Sequence, residues 1–181
     1  MSKKWFLSTA MLILAFGLAS CSSGQTTESG NNESTTNESS TNRSFDLVNM
    51  SLSKLSYSPN DNKGWEYKAV GVPAADFQKW ATSNKSVIES ALEQIGDGYA
   101  LQVTGHTDST GPRDRQADGR LGNLYYSKAR ADSVVAALRN AGIPVTKIRS
   151  AGVADDETLS GVDAKDQKNR RVTFKIVQTT N

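Results

Sequence analysis

Cysteine is almost absent from this chain of 181 residues, which has only Cys21. A single cysteine cannot form a disulfide within the chain, so a folded domain must be stabilised by its hydrophobic core. Cys21 is therefore a free thiol, a thiol that pairs with another chain, or a site of covalent modification. Its position directly after an apolar segment near the amino terminus favours modification.

Histidine is equally scarce, since His106 is the only one. A metal site on His106 would need Asp or Glu partners, and no spacing typical of metal ligands is evident. A Ser–His–Asp triad would depend on the same residue, and no nucleophile-elbow motif accompanies it. The sequence therefore predicts no enzyme activity, no metal and no cofactor.

Long hydrophobic runs are missing too, because a transmembrane helix needs about 20 apolar residues. The most apolar run covers only residues 5–19 and follows the basic pair Lys3 and Lys4. A basic start, a short apolar core and small residues before a cut site are typical of a secretory signal. We therefore interpret residues 1–20 as a signal peptide.

The end of this segment, Leu18-Ala19-Ser20-Cys21, resembles the lipobox of bacterial lipoproteins, with Ser20 where Gly or Ala is more usual. The resemblance implies that Cys21 carries acyl chains such as palmitate. Two or more chains anchor a protein stably, at about 0.8 kcal/mol per buried CH₂. Ser22 follows the cysteine, which by enteric sorting rules permits delivery to the outer membrane.

Residues 22–44 lack aromatic and branched aliphatic side chains. Such a segment cannot bury enough apolar surface to offset the entropy of ordering it. We expect residues 21–44 to comprise the lipidated cysteine and a disordered tether, which spans roughly 25–30 Å on average and about 75 Å when stretched. This length suits a domain that searches for a target across a narrow gap, and a simple spacer is the alternative.

Excess charge of one sign is also missing. The chain has 21 basic and 19 acidic residues. Without Lys3 and Lys4, 19 basic residues remain, equal to the number of acids. This balance argues against a strongly basic nucleic-acid binder.

Periodic apolar residues after position 44 predict one α/β domain. Residues 45–64 are interpreted as an N-terminal extension, with weak helical periodicity over 45–55 and a turn over 57–64. Further strands are predicted at 65–72, 99–105, 148–152 and 172–176, helices at 75–95 and 124–141, and a loop at 153–168. Strand–helix–strand units favour parallel neighbours, so the helices should cover one face of a small sheet.

One carboxylate and several guanidinium groups gather near a strand-to-helix junction. Asp108 follows strand 99–105, Arg130 lies on the next helix, and Arg170 and Arg171 enter the last strand. Such a set suits a zwitterionic ligand, such as a free amino-acid end. Taken singly, Asp108 would be a turn or capping residue and Arg130 a solvated helix charge.

Three ordered motifs carry a family resemblance. They are Gly105-His106-Thr107-Asp108 with Gly111, the helix start from Asn123 to Ala131 with Ser127 and Arg130, and Asn169-Arg170-Arg171-Val172. They resemble the OmpA-like peptidoglycan-binding domain over about residues 65–178. The resemblance implies a domain at 65–181 with an α/β sandwich, ordered β-α-β-α-β-β, and a small mixed sheet.

In that family the motif Asp and the helix Arg bind diaminopimelate in the stem peptide of peptidoglycan. The resemblance implies that Asp108 accepts hydrogen bonds from the ligand ammonium and that Arg130 pairs with its carboxylate. A nearby helix N-terminus also favours a carboxylate. Flanking contacts are expected from Thr107, Thr110, Asn123 (also a candidate helix cap) and Ser127. A structural role in shaping the pocket is expected for Asn169, Arg170 and Arg171.

The sequence departs from the family pattern at three places. Tyr126 stands where Leu is usual, and the family's Phe-Asp pattern is not evident over 70–77. The loop 109–122 is longer than usual, and its added charges either block or extend the site.

The whole chain resembles spirochaetal OmpA-like outer-membrane lipoproteins, a group associated with surface exposure and virulence. This implies a lipid-anchored protein of the cell outer membrane whose periplasmic domain binds peptidoglycan and links membrane to wall. The alternative is a surface-exposed adhesin that binds host proteins. A wall-modifying hydrolase is disfavoured because no nucleophile or metal site is evident.

Overall fold

The computed structural model describes residues 45–179. The predicted signal peptide, lipidated cysteine and tether lie outside these residues. Helix α1 covers 45–52 and is followed by these elements: β1 (Ser56–Tyr57), α2 (Ala74–Gln94), β2 (Tyr99–Gly105), α3 (Asn123–Asn140), β3 (Ile148–Gly152) and β4 (Val172–Gln178). None of the helices in this part of the chain has the length and hydrophobicity of a membrane span.

The four strands form one mixed sheet in the order β1-β4-β2-β3, which confirms the predicted α/β fold class. β2 is parallel to β3, with Leu101 opposite Ile148, and α3 connects the two, as the strand–helix–strand pattern predicted. β4 is antiparallel to β2 and also pairs with β1, so the carboxyl end of β2 lies beside the start of β4.

The predicted strand at 65–72 is wrong. Trp65 is buried as an anchor instead, since its indole N–H donates to the Gly71 carbonyl at 2.7 Å and its ring contacts Tyr57. Lys68 has a φ of 61°, in the left-handed region that a strand excludes. The first strand is instead Ser56–Tyr57, on the other side of the predicted turn.

Aromatic rings fill the core between α2 and the sheet. Trp80 stacks on Phe174 with ring centroids 5.3 Å apart, and Phe77 meets Tyr57 edge-on at 5.1 Å. Phe77 is 3% exposed and belongs to this core. Tyr99 packs against Phe45 of α1, which joins the N-terminal helix to the same core.

Two glycines bring α3 unusually close to the sheet. Gly105 and Gly152 are paired across β2 and β3. A Cβ on Gly105 would lie 1.9 Å from the Ser127 carbonyl oxygen, and one on Gly152 would lie 2.4 Å from the Lys128 nitrogen. The helix backbone therefore rests on the strand ends, and this contact places Arg130, about one turn further on, beside the residues that follow β2.

Candidate functional site

A small cavity opens where β2 ends beside α3. Its volume is about 50 Å³, room for a few waters or a small head group, since one water occupies roughly 10–15 Å³ on this measure. Six of the residues singled out in the sequence line it: Thr107, Asp108, Thr110, Asn123, Arg130 and Arg170. Three separate parts of the chain therefore converge on one space.

Asp108 is 2% exposed, and its partner is Arg170 rather than Arg130. Its Oδ2 accepts from Arg170 Nη1 at 2.5 Å and from Thr110 Oγ1 at 3.0 Å. Arg170 also donates from Nε to the Trp65 carbonyl at 2.5 Å. Within residues 45–179 no hydrogen bond reaches Asp108 Oδ1, which leaves one acceptor for a ligand.

Arg130 is a buried cation held by carbonyl groups. It is 1% exposed, donates from Nε to Ala69 at 2.9 Å and from Nη1 to His106 at 3.1 Å, and lies 5.7 Å from the Trp65 ring centroid. Burial and the like charge of Arg170 lower the pKa of Arg130 to about 10, so it stays protonated at neutral pH. No ion pair joins it to an acid in the described chain, and a buried cation without such a partner favours an anionic ligand.

Thr107 presents an unsatisfied hydroxyl at the cavity. The residue is 2% exposed, and its Oγ1 has no hydrogen-bond partner among residues 45–179. Buried polar groups without a partner are uncommon in folded proteins. A polar ligand group in the cavity would satisfy this hydroxyl.

The start of α3 is closed by the preceding loop. The amides of Asn123 and Leu124 donate to the carbonyls of Pro112 and Arg113 at 2.8 and 3.0 Å. A Cβ on Gly122, the N-cap residue, would lie 2.4 Å from the Arg113 carbonyl oxygen, so only glycine fits there. These two amides are therefore bonded within the fold and offer no free N–H to a ligand carboxylate, so any effect of the helix N-terminus on a carboxylate would act through its charge.

Asn123 also differs from its predicted role as a helix cap. The helix begins at Asn123 itself, one residue after the N-cap. Its Nδ2 donates to the Asp108 carbonyl at 3.2 Å, so the side chain ties the helix to the residue after β2.

Ser127 lies outside the cavity, unlike its predicted contact. It is fully buried, and its hydroxyl donates to the Leu124 carbonyl at 3.0 Å and accepts from the Ala154 amide at 3.1 Å. Its hydroxyl is used within the fold because α3 lies so close to the strand ends.

The residues of the Asn-Arg-Arg motif have two different roles: two of them hold a loop, and one lines the cavity. Asn169 accepts from the Leu159 amide at 2.7 Å and donates to the Asp163 carbonyl at 2.8 Å. Arg171 donates to the Glu157 carbonyl at 2.9 Å. Both therefore hold the loop before β4, whereas Arg170 reaches the cavity directly.

Four further residues line the cavity. Tyr67 and Lys68, predicted in a strand, line the cavity from the turn before α2, and Tyr126 and Arg120 line it from α3 and the long loop. Of these four residues, only Arg120, through the charge of its loop, and Tyr126, through its position in the helix motif, had a signal in the sequence. The turn at Lys68 has no sequence signal, because its left-handed φ falls on a lysine.

His106 is buried and neutral. Its Nε2 lies 2.8 Å from Thr173 Oγ1, while burial and the nearby Arg171 lower its pKa to about 3. Unlike its neighbours Thr107 and Asp108, it is not among the described residues that line the cavity. In the part of the chain that the structure covers, no group of three or more acidic, Cys or His side chains could hold a metal ion.

Comparisons with known proteins identify relatives of this chain. The family model of the OmpA family matches residues 79–171. The protein described as probable lipoprotein YiaD of Escherichia coli (strain K12) is 36% identical over 79 residues, which is 42% of this chain and 33% of that protein. The matched part is therefore only a third of that relative's length.

Two solved structures are similar to part of this chain. The peptidoglycan-associated lipoprotein from Burkholderia pseudomallei is 20% identical with a TM-score of 0.45, over 70% of this chain and 92% of that chain. The cell wall anchor of the T6SS from Pseudomonas aeruginosa is 20% identical with a TM-score of 0.42, over 69% of this chain and 80% of that chain.

Proposed function

Because this chain belongs to the OmpA family, we propose that it binds peptidoglycan non-covalently through the diaminopimelate of the stem peptide. The cavity beside β2 is the binding site. No catalytic step is part of this role, since binding alone anchors the protein to the wall.

The buried Arg130, which forms no ion pair with any described residue, carries the proposal. The cation is 1% exposed, and its hydrogen bonds within residues 45–179 go only to carbonyl groups, so an anion would offset its desolvation. Asp108, with its remaining carboxylate oxygen, and Thr107, whose hydroxyl has no partner among the described residues, line the same cavity. Together these groups suit the ammonium and carboxylate of an amino-acid end.

In the proposed complex the ligand carboxylate contacts Arg130, whose planar guanidinium pairs well with carboxylates. The ligand ammonium donates to Asp108 Oδ1. Thr110 and Arg170 hold Asp108 in position through its other oxygen. The positive Arg130 and the negative Asp108 therefore face the ligand groups of opposite charge.

The proposal places the domain on a lipid anchor. Cys21 carries acyl chains in the outer membrane, and residues 22–44 let the domain reach the wall. YiaD is described as a probable lipoprotein, which supports this arrangement. The protein thereby joins the outer membrane to peptidoglycan.

Co-sedimentation with purified peptidoglycan tests the function. The chain without residues 1–21 should pellet with the wall material, and Asp108→Asn and Arg130→Lys should remove most of that binding. Asp97→Asn and Arg115→Gln remove exposed charges that do not line the cavity, so they should bind like the unaltered chain.

Two measurements, urea unfolding and sedimentation, decide the outcome. Urea unfolding of each variant shows whether it remains folded. If folded Asp108→Asn and Arg130→Lys proteins sediment like the unaltered chain, the site is elsewhere. If the unaltered chain stays in the supernatant, the proposed function is wrong.

A further inference from the structure

The cavity carries more positive charge than a zwitterion can balance. Four cations line it: Lys68 and Arg120, which are exposed at its mouth, and Arg130 and Arg170, which are buried. Asp108 in the cavity and Asp118 at its edge are the only acids that pair with any of the four in residues 45–179. An amino-acid end has no net charge, so two positive charges would remain after it binds.

Arg120 is held in position at this mouth by its own loop. Its backbone amide donates to Asp118 Oδ1 at 3.1 Å and its Nε donates to Asp118 Oδ2 at 2.7 Å. Both Nη atoms make no hydrogen bond to any described residue, and the side chain is 70% exposed. Both Nη groups of the guanidinium can therefore donate to a ligand beside the cavity.

Lys68 reinforces the charge from the opposite segment. Its ammonium lies 5.2 Å from the centroid of the Tyr67 ring and forms no ion pair in the described region. Tyr67 is 53% exposed, and its hydroxyl lies near Gly111 on the far side, 3.5 Å from where a Cβ would stand. The turn and the long loop thus meet across the mouth and place exposed cations there.

We propose that Arg120 is a specificity-determining residue that contacts a second carboxylate of the ligand, so that the site prefers stem peptides with free acids over amidated ones. The inference rests on the proposed function, because the first carboxylate and the ammonium occupy the cavity. It also assigns a role to the loop 109–122, which extends the site rather than blocking it.

Two synthetic stem peptides test the preference. Both carry the diaminopimelate end, and they differ only in whether the remaining carboxyl groups are free or amidated. Calorimetry with the full mature chain should show that the free-acid peptide binds about two- to fivefold more tightly at low salt, the range expected for an exposed charge pair. At 1 M salt the preference should vanish, since screening then acts within about 3 Å.

Three variants make the test specific. Arg120→Gln should abolish the preference between the two peptides, and Arg120→Lys should keep part of it because the charge remains. Arg115→Gln, a charge change in the same loop away from the cavity, should keep all of it.

Each contrary result has a distinct meaning. If the unaltered chain binds both peptides equally, or Arg120→Gln behaves like Arg115→Gln, the inference is wrong and the proposed function stands. If neither peptide binds, both are wrong.

Discussion

The two oxygens of the Asp108 carboxylate differ in their contacts. Oδ2 accepts from Arg170 and Thr110, whereas Oδ1 accepts no hydrogen bond within residues 45–179 and is the oxygen that we propose for the ligand. Arg170 in turn joins Asp108 to the Trp65 carbonyl, which lies 105 positions from Arg170 in the sequence. The pair therefore ties the turn before α2 to the strand ends while it lines the site.

We expect Asp108→Asn to lower the free energy of unfolding by about 3–5 kcal/mol, because removing one partner leaves the buried Arg170 cation uncompensated. Urea denaturation followed by tryptophan fluorescence measures this loss. Asp108→Asn combined with Arg170→Gln should regain part of the stability but no peptidoglycan binding. A double variant no more stable than Asp108→Asn would contradict the buried-pair explanation.

His106 makes the fold sensitive to acid. Its pKa is near 3 in the folded protein and about 6.5 in the unfolded chain, so the unfolded state binds the proton first. The stability from neutral His106 is fully present above pH 6.5 and is lost progressively as the pH falls towards 3. Each pKa unit corresponds to about 1.4 kcal/mol.

A His106→Gln variant, whose amide can still reach Thr173, should lose less stability than the unaltered protein between pH 6.5 and 4. Urea unfolding at a series of pH values gives the comparison. Parallel curves for the two proteins over this range would show that His106 does not titrate as expected.

At the scale of elements, the contact of α3 with β2 and β3 sets the geometry of the site. Glycine at both strand ends lets the helix backbone come within reach of the sheet. The same helix carries Arg130 and Tyr126 into the cavity and Ser127 into the interior.

Gly105→Ala should therefore push α3 away from β2 and cost at least about 1–3 kcal/mol, the usual effect of overpacking. Peptidoglycan binding should fall with it, because Arg130 moves with the helix. Gly96→Ala provides the control, since a Cβ there meets nothing within 4 Å. Thermal unfolding and co-sedimentation of both variants measure the effects, and a Gly105→Ala protein as stable as Gly96→Ala would refute the close contact.

The N-terminal extension is an integral element of the domain. Asn49 of α1 exchanges two hydrogen bonds with the backbone of Ile176, at 2.7 and 3.3 Å, and β1 pairs with β4. Residues 45–64 therefore contribute a helix and an edge strand to the same hydrophobic core.

For the whole molecule, the anchor and the wall site should be separable. Cys21→Ala should move the protein from the membrane to the soluble fraction after cell lysis, because no acyl chain is attached. The released protein should still sediment with added peptidoglycan. Retention of the variant in washed, peptidoglycan-free membranes would contradict anchoring through Cys21.

The sequence by itself determined the strands and helices with strong periodicity and the residues of the three motifs. β2, α3, β3 and β4 lie where the alternation and the helical spacing predicted them. Asp108, Thr107 and Arg130 share one cavity, as the motifs implied. These features follow from patterns within short stretches of chain, which is why they could be predicted from the sequence.

Only the tertiary structure decided which partner each charge takes. Asp108 pairs with Arg170, 62 positions away, rather than with Arg130, and the amides at the start of α3 are taken by the loop. The Tyr67–Lys68 turn at the rim replaces a predicted strand because Trp65 is buried as an anchor. Contacts between distant segments depend on packing, and packing leaves no periodic signal in the sequence.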